Sequence, residues 1–384
     1  MDVNLVNQLL SDMNSCNFTF IIGSGASRKS GISTGTELAY NWLGHLINMA
    51  GAPPDKLFGQ LKEQIDNGRL RELNNVELMS IFGPEKIIEL LCADYDSKCT
   101  WPMILKILCS GVQKNYFRIA SYLSKHKAEL LHTSIIEEMQ GKIASPGYFH
   151  LAKIMQGGHN IYSNRNIVIT TNFDDLLQQA LYKNFDKGHK TPAIISHSAL
   201  AHQIVSMDVN AQPIIFKIHN DIYFYPLNAE FEVTYYTEDV KNALKKLISK
   251  RMILVIGYSG AKDNLMEYLI HYEEQLTIYW AYYDTPPDSE KFKELSTSHH
   301  RVIPFKAGDF DNFMEYLSTP LLFPLNTLNA PKTIVSEEYK TSSGFGSKKQ
   351  KDLEPEEIDN RINRIQKLSA QEELDLTRFV LGGN

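Results

Sequence analysis

Phe18-Thr19-Phe20-Ile21-Ile22-Gly23-Ser24-Gly25-Ala26-Ser27 sets the reading of the whole chain. Five strand-forming residues run without a spacer into a turn of two glycines, an alanine and two serines. Glycines there let backbone amides approach an anion closely, and two hydroxyls stand beside them. That suits a dinucleotide pyrophosphate, so Gly23, Ser24, Gly25, Ala26 and Ser27 are candidate binding residues. The same residues would also serve a plain tight loop. The turn continues as Arg28-Lys29-Ser30-Gly31, unlike the dehydrogenase fingerprint. The region about 20 residues on reads as helix rather than as a strand ending in an acid. An ordinary nicotinamide dehydrogenase is therefore disfavoured.

Outward from this strand the chain alternates. Apolar runs predict strands at 166–171, 192–195, 213–218, 222–226, 252–256, 276–284 and 301–304. Helical spacing predicts helices at 3–13, 174–182, 237–249, 263–272 and 309–317. Continuous apolar strands followed by helices give an α/β class: a Rossmann-like, mostly parallel sheet with helices on both faces. A large helical insertion follows the first strand, with helices expected at 37–49, 55–65, 84–94, 101–107 and 113–138. The expected organisation is a nucleotide-binding domain from 1–34 and 148–320 and the insertion at 35–147. Residues 321–384 read as a linker and a helical tail, with sparse apolar positions at 355–368 and 371–381 suited to assembly.

The formal charge of -6, from 39 basic and 45 acidic residues, gives no whole-protein attraction for polyanions, so direct nucleic-acid binding is disfavoured. The four cysteines, Cys16, Cys92, Cys99 and Cys109, show no C-x-x-C spacing, and reduced thiols without a zinc site are expected. The first residues lack the basic and apolar regions of a signal peptide. No run of about 18 apolar residues occurs, so a cytoplasmic protein without membrane contact is expected.

Three later strand ends carry chemistry. Thr170-Thr171-Asn172-Phe173-Asp174-Asp175 lies where a buried strand gives way to a helix, a ligand-facing edge of such sheets. Asn172 can donate and accept at once, and so hold a ribose hydroxyl or a water near an anomeric carbon, with Thr171 beside it. Asp174 could instead cap the following helix. His219 ends the run Pro213-Ile214-Ile215-Phe216-Lys217-Ile218. A neutral imidazole there can accept a proton and return it, although a hydrogen-bonded loop histidine is the plain alternative. Strand alternation puts Lys217 on the same face, and no role is assigned to it. Gly257-Tyr258-Ser259-Gly260 forms a further turn whose amides and Ser259 are placed for ribose or phosphate. Tyr282, with Tyr283 and Asp284, could frame the adenosine half.

Taken together, GSGAS at 23–27 with SGI at 30–32, TTNFDDLL at 170–177, KIHND at 217–221 and VIGYSG at 255–260 resemble the sirtuin superfamily over roughly residues 15–320. The resemblance implies NAD as substrate, held by the first glycine turn with Ser259 on the adenosine-ribose side. It implies Asn172 and Asp174 near the nicotinamide and its ribose, and His219 as the catalytic histidine. The departures are the missing four-cysteine zinc module, SGISTGTEL where deacylases place a proline and an aromatic–arginine pair, and His219-Asn220 in place of His-Gly. These weaken protein deacylation. They bring the chain close to zinc-less sirtuin-like proteins of bacterial antiphage defence, which hydrolyse NAD to nicotinamide and ADP-ribose, and especially to the partner of a hexameric HerA-type ATPase. A homo-oligomer under a partner's control is then expected. Alternatives are a deacylase or ADP-ribosyltransferase, a non-catalytic NAD or ADP-ribose sensor, and a nuclease component of an ATPase complex. The last lacks a clear acidic metal cluster.

Overall fold

The Phe18–Ile22 strand (β1) stands in the middle of a seven-stranded, all-parallel sheet. The computed structural model describes residues 2–50, 116–157, 164–184, 190–223, 236–260 and 263–322. By its contacts the chain divides into Met1–Thr327 and Leu328–Asn384, and every described residue lies in the first unit. The other strands are β2 (Ile167–Thr170), β3 (Ala193–Ile195), β4 (Ile214–Lys217), β5 (Met252–Ile256), β6 (Thr277–Tyr282) and β7 (Arg301–Lys306). Their order across the sheet is β3-β4-β2-β1-β5-β6-β7.

β1 is apolar but for Thr19 because it has no free edge and no free face. It pairs with β2 on one side and β5 on the other, and all five of its residues are buried. Phe18, Phe20 and Ile22 enter one core and Ile21 the other. Thr19 points to the second core, where its hydroxyl donates to the Leu247 carbonyl at 2.6 Å. Burial of each large side chain contributes about 1.5–3 kcal/mol. The first core receives Val6 of α1 (Val3–Ser15), Trp42 of α2 (Gly35–Ala50), Ile119 of α3 (Tyr116–His126) and Leu131 of α4 (Ala128–Met139). It also receives Tyr148 of α5 (Pro146–Gln156), Leu177 of α6 (Leu176–Lys183) and, from the last described helix (Phe310–Leu322), Phe313. On the opposite face lie Ile204 of α7 (His202–Ser206), Leu244 of α8 (Glu238–Ile248), Leu269 of α9 (Asn264–Ile270) and Leu295 of α10 (Glu290–Thr297).

This order positions the site. The chain leaves β1 for β2 on one side and later returns to β1's other side as β5. The strand order therefore reverses at β1, and the carboxyl ends of β2, β1 and β5 border a crevice where ligands bind in open α/β sheets.

Two expected elements differ. The single helix expected over 113–138 is two helices within its described part, opening at Lys127, whose φ is -150°. The joint is polar and exposed, with no apolar side chain to hold it on the core. The strand expected at 222–226 is not formed at Ile222 and Tyr223, which lie in a turn. There the Asp221 carboxylate accepts from the Tyr223 amide at 3.2 Å, and this local bond bends the chain away from the sheet. Residues 224–226 and the helices expected at 55–65, 84–94, 101–107, 355–368 and 371–381 lie outside the described residues.

Candidate functional site

The turns after β1 and β5 lock together by backbone contact. The Gly23 amide donates to the Ile256 carbonyl at 3.0 Å, and the Gly25 amide to the Gly257 carbonyl at 2.8 Å. A Cβ on Gly23 would stand 2.6 Å from the Gly257 oxygen, and one on Gly257 would stand 2.4 Å from the Ala26 nitrogen. Gly257 also has φ +66°, so glycine is required there twice over. Residues Ser24–Ser30 continue as a 3₁₀ helix rather than as an open loop. The amides of Gly23, Gly25 and Ala26 are thereby engaged with protein carbonyls. Ala26 is packed in the core, Ser24 is half-buried and Ser259 is exposed.

Ser27 is fully buried and is the hub of the site. Its Oγ donates to Asp174 Oδ2 at 2.8 Å. It lies 2.7 Å from the Tyr148 hydroxyl and accepts from Asn172 Nδ2 at 3.1 Å. The same Nδ2 donates to the Gly23 carbonyl at 3.2 Å, and the Asn172 amide donates to Thr170 Oγ1 at 3.0 Å. These bonds fix which end of the side-chain amide is nitrogen. Among the described residues Asn172 Oδ1 is buried with no hydrogen-bond partner. A buried acceptor left unmet is costly, so this atom is suited to a donor from a ligand.

Both carboxylate oxygens of Asp174 are engaged within the protein. Oδ2 takes the Ser27 hydroxyl, while Oδ1 accepts the Leu176 amide at 3.2 Å at the start of α6. Burial pushes its carboxyl up, against the pull of Lys217 and the Ser27 hydroxyl. Burial likewise raises the Tyr148 phenol, which stays a hydroxyl donor.

The end of β4 lies beside that of β2, with Thr170 level with Lys217 and the Ile218 amide donating to the Thr170 carbonyl at 3.1 Å. Asn172 and His219 each stand two residues past that level, in the loops that follow adjacent strands. His219 is buried, and its Nε2 has no hydrogen-bond partner among the described residues. Burial lowers its pKa to about 4, so the imidazole is neutral at physiological pH and able to accept a proton. Asn220 follows at φ +64°. Asparagine is the residue that best tolerates this left-handed conformation after glycine, so the His-Asn pair keeps a backbone that a His-Gly pair would also adopt. Its Oδ1 accepts from the Ser198 amide at 2.9 Å.

Lys217 is 1% exposed. Its Nζ donates to the carbonyls of Phe173 at 3.0 Å and Asp174 at 2.5 Å, and pairs with the Asp221 carboxylate. Sequence reading gave no role to Lys217 or to Tyr148. For Lys217 a signal existed: a lysine inside an apolar strand with an acid four residues on. Tyr148 carried none, because its bond to Ser27 joins residues 121 positions apart.

On the β5 side, Tyr258 is buried and donates to Asp263 at 2.5 Å, while Asp263 caps α9 by accepting the Met266 amide at 3.1 Å. Burial raises the Asp263 carboxyl to about 6. Thr171, half-buried, donates its amide to the Ile22 carbonyl at 3.3 Å. The structure thus joins Gly23, Gly25, Ala26, Ser27, Asn172, Asp174 and Gly257 through hydrogen bonds and backbone contact. Tyr282 is half-buried at the end of β6, a strand removed from β1, outside this network. Among the described residues no group of three or more His, Cys, Asp and Glu is placed to hold a metal ion. No described helix is long and apolar enough to cross a membrane.

A family model described as a SIR2-like domain matches residues 166–303, which include Asn172, Asp174, His219 and Ser259. Among solved structures, a mutant Sir2 homologue complexed with ADP-ribose is 11% identical, with 84% of this chain and 99% of that chain covered and a TM-score of 0.40. A Sir2 homologue complexed with NAD is 12% identical, with 82% and 94% covered and a TM-score of 0.38. No curated protein matches this chain.

Proposed function

We propose that this chain is a glycohydrolase that cleaves NAD to nicotinamide and ADP-ribose. The observation that carries the reading is the pair of buried atoms without a hydrogen-bond partner among the described residues, Asn172 Oδ1 and His219 Nε2, in the loops just past adjacent strand ends. Asn172 Oδ1 is an acceptor, the neutral imidazole of His219 offers one ring nitrogen as an acceptor, and a water or ribose hydroxyl can meet both. The SIR2-like match over the stretch that carries them supports NAD as the substrate.

The reaction balances simply. The bond from the ribose anomeric carbon to the nicotinamide nitrogen breaks, and its electron pair leaves with nicotinamide, neutralising the ring's charge. A water oxygen bonds to the same carbon, and the proton it loses passes to neutral His219, directly or through a ribose hydroxyl. Asn172 Oδ1 orients the water or hydroxyl, and Ser27 and Tyr148 hold Asn172 in place. Ser24, Ser259 and Tyr282 are assigned to the diphosphate and adenosine half.

NAD hydrolysis without restraint would harm its own cell. A regulated, homo-oligomeric effector of bacterial antiphage defence, controlled by a hexameric HerA-type ATPase with residues 321–384 as the assembly element, follows from the sirtuin-like resemblance. The test is incubation of the pure chain with NAD, alone and with the ATPase, beside Asn172→Ala and His219→Ala. Product from the parent and from neither variant is expected. Equal rates from all three proteins would remove this site from the account.

A further inference from the structure

We propose that Lys217 is a positioning residue for this reaction: with Asp221 it clamps the loop that carries Asn172 at a set spacing from His219. The inference rests on the reading of Asn172 and His219 as the reacting pair.

An apolar residue at this point of β4 would incur no desolvation, whereas a buried ammonium is costly unless its donors are met. Here its flanking residues Phe216 and Ile218 are in the apolar core, yet the three contacts of Nζ are all acceptors. Two are the carbonyls of Phe173 and Asp174, the residues directly after Asn172. The third is Asp221, two residues after His219. One side chain therefore ties the loop after β2 to the loop after β4. Asp221 is fixed in turn, since its amide donates to the Ser196 carbonyl at 2.8 Å and it accepts from Gln178 of α6 at 3.3 Å. The Phe173 carbonyl also accepts the Ile222 amide at 3.1 Å, so the same junction is closed twice. The ammonium adds what a neutral donor could not: it opposes the burial that pushes the Asp174 carboxyl up.

Lys217→Met alone would leave Asp221 buried without its counter-charge, so the informative protein is Lys217→Met/Asp221→Asn, in which the pair is neutral and close in volume. We expect it to unfold cooperatively near the parent, while kcat with NAD falls about 100-fold and KM moves less than about threefold. A double variant that regains the parent's kcat overturns the inference, because a merely structural pair would be relieved by neutralisation. Asp221→Asn alone leaves the Lys217 ammonium buried without its counter-charge but keeps a side-chain oxygen as its acceptor; it is expected to be less stable than the parent and to lose about tenfold in kcat, and an unchanged kcat again overturns the clamp. Amide exchange at Asn172 and Leu176 reads the loop without chemistry. A parent that leaves NAD whole refutes the glycohydrolase reading, and the clamp is then judged by exchange. Exchange about tenfold faster in the variants supports it and unchanged exchange overturns it.

Discussion

His219→Gln tests the neutral-base assignment through stability rather than through turnover. Burial holds the folded imidazole near pKa 4 against an ordinary value of 6.5. Below pH 6.5 the unfolded chain therefore takes up a proton that the folded chain refuses. The stability at stake is present in full above pH 6.5 and is lost as pH falls toward 4. The gap of about 2.5 pKa units corresponds to ~3 kcal/mol in full, of which about 2 kcal/mol is lost between pH 7.5 and pH 5. Asp263 has the opposite sign: its carboxyl is raised to about 6, so its contribution is present below 3.8 and lost as pH rises through 6. Subtracting the variant's curve from the parent's removes this and every other group the two proteins share. Urea unfolding followed by tryptophan fluorescence at pH 7.5, 6.5 and 5.0 should show the parent losing about 2 kcal/mol more than the variant over that range. Curves that stay parallel would mean that the folded imidazole takes a proton as readily as the unfolded one, which would refute the burial of a neutral His219.

Further outcomes are expected at other parts of the site. Asn172→Asp puts acceptors against the Gly23 carbonyl and Ser27 Oγ, where Nδ2 now donates. It should cost about 1–3 kcal/mol and abolish turnover, and a variant of parental melting temperature would contradict the assigned amide orientation. Gly257→Ala meets both the φ of +66° and the 2.4 Å approach to the Ala26 nitrogen. It should lower stability by more than about 1 kcal/mol and weaken NAD binding measured by calorimetry, and unchanged values would disprove the interlock. Removing residues 328–384, which spares the helix ending at Leu322, should change oligomer size by light scattering more than NAD affinity, and the reverse result would oppose the assembly role proposed for the tail.

Much of the fold was legible because the central strands are buried on both faces and so read as unbroken apolar runs. Phe18–Ile22, Ile167–Thr170 and Met252–Ile256 could be placed to within a residue or so. The strand after Asp221 was not, since Ile222 and Tyr223 carry strand-forming side chains while an aspartate–amide bond turns the backbone. Position at strand ends was enough to single out Asn172 and His219. What it could not give is how the polar groups are shared. Ser27 reads as a phosphate-turn hydroxyl, yet its side chain is engaged with Asp174, Asn172 and Tyr148, a pairing set by the docking of α5 that no local pattern records. Lys217 reads as an oddity within an apolar strand until the carbonyls of Phe173 and Asp174 come to meet it.

The most direct test of hydrolysis is the stoichiometry of products. The parent chain, with a HerA-type ATPase if activity requires one, is incubated with NAD and an acylated-lysine peptide, and nicotinamide, ADP-ribose and peptide are measured together. The account predicts one ADP-ribose for each nicotinamide released and an unchanged peptide. Nicotinamide released with the ribose carried to the acyl group or the peptide would instead establish a transferase, and NAD left whole under every condition would contradict cleavage altogether.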